Sequence, residues 1–292
     1  MESFKIIQTI LLSMIVLLII FIIYTIIKPK IIMKYIISTF HIQGNPDSLI
    51  DNIETETFTT SIKIKNKYKI FTKHIYYYSK QENDKTTIII DLPGGAFLVS
   101  ANTMVHYKAM ENLKYDVVSI EYPVLLEAKA TYIISYIENA IQHIIDKYKK
   151  KYNLDHLKII LSTASAGSYY GVKIINNNQF NNNIYKFTAV SGYFGYTTFD
   201  NIFAIITDKL YLNSLKNNTK YICNPIPSSK ILTFFAISDK DLLSESTIKY
   251  LSKTGQVNEI ITYPSSDHCF YLHVNSLDTQ KYYKDYISFI NS

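Results

Sequence analysis

From Thr86 to the C-terminus, short β-branched apolar runs alternate with longer segments of helical periodicity, and few architectures accept that order. Thr86 to Leu92 (TTIIIDL) reads as a buried strand, and a helix is expected over Thr103–Leu113. Tyr115 to Tyr122 (YDVVSIEY) is the next strand. Glu127 to Lys149 then places Ile133, Ile137, Ala140, Ile141, Ile144 and Tyr148 three or four residues apart, which makes one apolar helix face. Leu157–Leu161 is a strand, followed by a small-residue turn and a helix through Ile175. The Asn-rich stretch Asn176–Asn183 is a solvated loop. Tyr185–Val190, Lys230–Ile237 and Glu259–Tyr263 read as further strands, and Thr279–Ile290 as the closing helix. Upstream, alternation between Phe58 and Lys80 predicts a strand pair. Strands that alternate with helices predict an α/β class fold, with a mostly parallel central sheet covered by helices on both faces.

A second feature lies before this pattern. Ile6 to Ile27 (IIQTILLSMIVLLIIFIIYTII) carries no charge. A helix of that length rises about 33 Å, enough for a hydrocarbon core of about 30 Å. The run ends in Lys28-Pro29-Lys30 without a small-residue cleavage site, so it is expected to be an uncleaved transmembrane anchor rather than a signal peptide. The expected organisation is a tail over 1–5, an anchor over 6–27, a linker or cap over 28–57 and the folded domain over 58–292. The membrane is expected to be the endoplasmic reticulum or another internal one. Lys28, Lys30 and Lys34 argue for a cytoplasmic domain and the sequon Asn217-Asn218-Thr219 for a lumenal one, so the side stays open.

The net charge of +6 does not indicate nucleic-acid binding. All 30 basic residues are lysine, whereas phosphate recognition favours arginine. Two cysteines, Cys223 and Cys269, exclude a disulfide framework and a multi-cysteine zinc module, and leave one disulfide open. The seven histidines show no metal-ligand spacing and no glycine-rich phosphate loop is present, so neither metal nor cofactor is expected.

Chemistry is expected where strands end. Leu161–Gly167 (LSTASAG) puts Ser165 on a sharp turn from strand to helix, with small neighbours and a helix N-terminus beneath it. Taken alone, S-x-G is also what a helix-capping serine looks like. Asp239 and Asp241 lie in the loop after a later strand, and His268 lies in the loop after the last one. In a parallel sheet these loops share one edge, where α/β folds place their sites. The order Ser165, Asp241, His268 is that of nucleophile, acid and base on such a sheet. Gly94 and Gly95, after the strand ending at Leu92, allow backbone N–H groups to converge, and with the N–H of Ala166 they are expected to form an oxyanion hole.

These motifs resemble the hormone-sensitive-lipase-like α/β-hydrolases, which include arylacetamide deacetylases and fungal steryl acetyl hydrolases. The family patterns H-G-G-G-[FYW], D-Y-R-L-A-P, G-D-S-A-G-G, G-x-x-D-x-L and H-x-F appear here in order. They stand as Pro93–Phe97, Ser119–Val124, Thr163–Ser168, Ser238–Leu242 and His268–Phe270. Pro93 replaces the family histidine, Thr163 a glycine and Ala164 an aspartate. The resemblance implies an α/β-hydrolase fold with Asp241 as the acid. It also implies cap elements near 31–57 and Tyr193–Ser228, the latter with aromatic residues (Tyr193, Phe194, Tyr196, Phe199, Phe203, Tyr211) able to line an acyl pocket or to pack as core. The implied activity is a membrane-anchored serine hydrolase acting on carboxylic, in particular acetyl, esters of apolar alcohols such as sterols or acylglycerols. Its partners would be the membrane and an apolar ester or lipid, with the oligomeric state open. The decayed motifs keep a second hypothesis in play: a catalytically weak or inactive membrane-tethered binding protein of the same fold.

Overall fold

In the computed structural model the described residues are 2–27, 53–60, 70–81, 85–99, 107, 113–125, 127–195, 223–226, 231–241, 243–254, 257–264 and 267–292. Among them eight strands form one sheet: β1 (Ile53–Thr60), β2 (Ile70–Tyr77), β3 (Thr87–Leu92), β4 (Asp116–Ile120), β5 (Lys158–Ala164), β6 (Ile184–Val190), β7 (Leu232–Ser238) and β8 (Glu259–Tyr263). Their spatial order is β1-β2-β4-β3-β5-β6-β7-β8. β1 and β2 pair antiparallel, β2 joins β4 antiparallel, and every pairing from β4 to β8 is parallel. The connection from β4 to β5 crosses over β3 and leaves β3 and β5 central, and they are buried from Thr87 and Ile159 onward, respectively.

Five α-helices among the described residues accompany the sheet: α1 (Glu2–Ile27), α2 (Ala130–Tyr152), α3 (Ala166–Asn176), α4 (Ser244–Thr254) and α5 (Leu277–Asn291). The expected apolar face of α2 is the buried one, with Ile133, Ile137, Ala140, Ile141, Ile144 and Tyr148 all inside. The helix stops at Asn153, whose φ of 53° places it in the left-handed region and turns its N–H back to Lys149 O. Lys149, Lys150 and Lys151 in the last turn oppose the partial negative charge there. Two apolar layers result. One lies under α2 and α3, with Ile88, Ile90, Leu161 and Phe187; the other lies under α5, with Ile89, Ile160, Phe234, Tyr282 and Tyr286. The alternation of Ile88, Ile89 and Ile90 between them is the two-residue period of a strand buried on both faces. Lys186, buried in β6, donates to Phe289 O at 2.8 Å and Ile290 O at 3.1 Å, so a strand lysine caps the last turn of α5.

The observed limits refine several expectations. α1 is helical from Glu2, within the expected tail, and β1 begins at Ile53, ahead of the domain start expected at Phe58. The side chains described along α1 are those of Leu12–Tyr24, all exposed. Judged on that described stretch, no helix is long and apolar enough to cross a membrane. Cys223 and Cys269 are both free thiols, so the disulfide left open does not form. Most of the expected helix Thr103–Leu113, most of the two cap segments, the lysines after the apolar run and the sequon lie outside the described residues.

Candidate active site

The parallel strands deliver their loops to one edge, and the expected residues meet there. β5 ends at Ala164, and Ser165 follows with φ 47° and ψ −119°, a conformation that a residue with a side chain rarely adopts. Backbone bonds hold it. Its N–H donates to Val190 O at 3.1 Å, and its carbonyl accepts from Tyr193 N and Ser168 N, each at 3.0 Å. The hydroxyl makes no capping bond to α3. It lies instead 3.2 Å from His268 Nε2. The capping reading of this serine therefore fails. The geometry is that of a nucleophile elbow, a strained turn that lifts the hydroxyl above the sheet.

His268 follows β8, and its Nδ1 lies 2.9 Å from Asp241 Oδ1. Asp241 Oδ1 also accepts from Leu243 N at 2.8 Å, so the carboxylate serves the turn into α4 as well as the histidine. Asp241 is buried, while Asp239 is exposed. Burial opposes the Asp241 charge, but the bond and charge of His268, the Leu243 N–H and the Ser191 hydroxyl together hold its carboxyl below the usual range. Burial likewise opposes charge on the His268 ring. The Asp241 hydrogen bond, the neighbouring Cys269 sulfur and the Asp241 charge outweigh it, and the pKa rises from 6.5 to about 10.

The loop after β3 completes the cluster. The backbone of Gly94 lies against the serine: a Cβ there would stand 3.0 Å from Ser165 Cβ. Gly95, Ala96 and Phe97 all have positive φ, which coils this loop tightly beside Ser165. Leu98 N and Val99 N both donate to Gly95 O at 2.9 Å and close the turn. The N–H of Ala166 opens α3, where no intrahelical acceptor exists. The backbone of Gly94 and the first residue of α3, Ala166, thus flank Ser165, with Gly95 next in the same loop.

The three departures from the family pattern are each accommodated. Thr163 donates its hydroxyl to Thr188 O at 2.8 Å and lies 2.9 Å from Ser168 Oγ. Its methyl occupies space left by Gly171 on α3, where a Cβ would come within 2.7 Å of Thr163 Cγ2. The glycine missing from the strand is in effect supplied by the helix. Pro93 cannot make the histidine's side-chain bonds, but its carbonyl accepts a short hydrogen bond from the Tyr122 hydroxyl, which tethers the loop. Ala164 is buried at the end of β5 and leaves no polar group to satisfy.

A family model, BD-FAE, matches residues 74–256, more than half of the chain. The chain belongs to the BD-FAE family. No curated protein matches it in sequence. Solved structures share the architecture at low identity. A hyperthermophilic esterase from the archaeon Pyrobaculum calidifontis has a TM-score of 0.63 at 14% identity, over 88% of this chain and 87% of that one. A fungal esterase from Rhizomucor miehei gives 0.65 at 14% identity, over 90% of each chain. The esterase LipW from Mycobacterium marinum gives 0.64 at 10% identity, over 79% of this chain and 78% of that one. The fold of this BD-FAE member is therefore the α/β-hydrolase fold.

Two residues of the site carried no sequence signal. Tyr122 stood inside a matched motif without a role, and Ser191 is simply a serine after a strand. Tyr193 and Phe194, expected either to line an acyl pocket or to pack as core, pack as core: both are buried, and Phe194 stacks on Tyr250 at 4.3 Å between centroids. Tyr196, Phe199, Phe203 and Tyr211 lie outside the described residues.

Proposed function

We propose that this protein is a serine hydrolase that cleaves carboxylic esters through an acyl-enzyme. The observation that carries the reading is the unbroken chain from Ser165 Oγ to His268 Nε2 at 3.2 Å and from His268 Nδ1 to Asp241 at 2.9 Å. In its neutral form His268 accepts the Ser165 proton as the oxygen attacks the ester carbonyl. Asp241 fixes the tautomer with hydrogen on Nδ1 and stabilises the imidazolium that forms. Backbone N–H groups of Gly94, Gly95 and Ala166 receive the oxyanion. Collapse expels the alcohol with the proton from His268 and leaves Ser165 acylated. Water, deprotonated by the same histidine, then releases the acid. That these structural relatives are esterases supports this class of reaction. The contacts that Thr163 and Pro93 make favour this reading over that of a decayed site.

Within that class we read the substrate as an acetyl or other short-chain ester of an apolar alcohol, such as a sterol or acylglycerol, and α1 as the anchor that keeps the domain at a membrane. The resemblance to the deacetylase and steryl acetyl hydrolase branch supports the first. The second is supported by the uncharged run Ile6–Ile27 and by the exposure of large apolar side chains, from Leu12, Met14 and Ile15 through Phe21, a surface unsuited to water.

A fluorophosphonate probe tests the chemistry: wild type is labelled and Ser165→Ala is not. Labelling that persists in the alanine variant refutes the assignment of Ser165. Hydrolysis measured across p-nitrophenyl and steryl esters ranks the substrates, and absence of turnover on every ester rejects the reaction. A carbonate wash that releases the full chain from membranes rejects the anchor.

A further inference from the structure

We infer that Ser191 is a positioning residue for Asp241, donating its hydroxyl proton to Oδ2 of the carboxylate. The inference rests on the hydrolase reading above. Ser191 follows β6 on the edge that carries Ser165 and Asp241, and it is buried, with φ 49°. Its N–H donates to Ala236 O at 3.0 Å, which pins it to β7, the strand that leads into Asp241.

The two oxygens of Asp241 differ. Oδ1 receives both His268 Nδ1 and Leu243 N. Oδ2 is buried, and among the described residues both it and the buried Ser191 Oγ lack a partner at standard hydrogen-bond geometry. A carboxylate oxygen and a hydroxyl shut away from water separately would each bear a desolvation penalty, whereas facing one another they remove both. The part the Ser191 hydroxyl plays in lowering the Asp241 pKa has the sign such a bond gives.

The consequence is geometric. A carboxylate held at both oxygens cannot rotate about Cβ–Cγ, so Oδ1 stays in line with the imidazole. The same segment also holds the nucleophile, because Val190 O and Tyr193 N bond to the backbone of Ser165. Thr247 Oγ1 donates to Gly192 O at 2.8 Å and ties the segment to α4. Residues Val190–Tyr193 therefore set the nucleophile and the acid in one frame.

The test uses the full chain with Ser191→Gly and Ser191→Ala. Glycine relieves the positive φ, so a loss shared by both variants belongs to the hydroxyl and not to strain. We expect kcat on p-nitrophenyl acetate to fall about tenfold in both, the scale of a hydrogen bond to a charged group. KM should stay within about twofold, since no substrate contact is removed. The low-field proton NMR resonance of His268 Nδ1–H should move upfield. Wild-type kcat together with an unmoved resonance in Ser191→Gly overturns the inference while leaving the hydrolase reading intact. A moved resonance in a protein that hydrolyses no ester supports the positioning role and rejects the reaction instead. A fall in kcat with an unmoved resonance also overturns it, because the loss then does not pass through the Asp241–His268 bond.

Discussion

Two histidines of this protein, His74 buried and His268 partly exposed, behave in opposite ways, and the contrast isolates what makes one of them a candidate base. His268 stands at the C-terminal edge of the sheet with one carboxylate in direct contact, and its pKa rises to about 10. His74 stands in β2, stacked on Phe58 at 4.8 Å, with its Nε2 3.5 Å from the Tyr136 hydroxyl. A carboxylate is near His74 too. Glu56, however, spends its oxygens on Tyr76 at 2.6 Å and Lys147 at 2.8 Å, with His143 at 3.4 Å. Burial first, then repulsion by His143 and Lys147, therefore outweigh the pull of Glu56, and the His74 pKa falls to about 4. Proximity of a carboxylate does not make a base. A direct bond to a carboxylate with no competing cation does.

The sharpest way to break the contrast is Asp241→Asn, which leaves His268 a partly exposed ring without its carboxylate partner. Its pKa should fall from about 10 toward the ordinary value, and turnover should fall by about 10⁴, the scale seen when such an acid becomes an amide. Asp239→Asn removes only an exposed charge and should change turnover less than about threefold. Equal losses from the two variants would show that the acid is not Asp241 alone.

The raised pKa of His268 gives the next largest effect. A ring with a pKa of about 10 is mostly imidazolium at neutral pH, and only the neutral form takes the Ser165 proton. Turnover, corrected for spontaneous hydrolysis, should rise about tenfold per pH unit from neutral pH until it levels near 10. A plateau already reached at pH 7 would mean that the free base is far more populated than the Asp241 bond allows.

The same shifts act on stability with opposite signs. The folded pKa of His268 is above 6.5, so its contribution is fully present below 6.5 and is lost as pH rises through about 10. The folded pKa of His74 is below 6.5, so it subtracts stability as pH falls from 6.5 to about 4. Glu56, held down to about 2, adds a contribution present above 4.5 and lost between 4.5 and 2. Replacing His74 with Leu should remove an acid penalty on the order of 3 kcal/mol. Urea unfolding at pH 4 against pH 7 measures it, with neutral-pH turnover unchanged. If His74→Leu leaves the pH dependence of unfolding as it was, the depressed pKa is wrong.

The smallest effect belongs to the ion pair beside His74. Lys147 and Glu56 are each about one-third exposed, so Lys147→Met should cost less than about 1 kcal/mol at neutral pH. A larger loss would show that the cation over Tyr76, 3.9 Å from its centroid, matters more than the charge pair.

Much of this was legible in the chain itself. Strands buried on both faces must be apolar throughout, so Ile88–Ile90 and Ile159–Leu161 announce central parallel strands, and the Ile133-to-Tyr148 spacing announces the helix that covers them. Because parallel strands deliver their C-terminal loops to one edge, that pattern also placed Ser165, Asp241 and His268 together before any distance was known. Strand ends were less legible: β1 starts at Ile53 because its pairing runs back to Tyr77, and pairing partners leave no mark on local alternation. Contacts between distant segments were not legible at all. Only the folded chain sets Gly171 opposite Thr163, the Tyr122 hydroxyl on Pro93, and Ser191 behind Asp241. It alone decides that His268 meets a carboxylate oxygen open to it while His74 faces a carboxylate already taken. Periodicity records how a segment meets the core, whereas the charge state of a buried side chain depends on which groups other segments bring within a few ångströms, and that is decided when the sheet assembles.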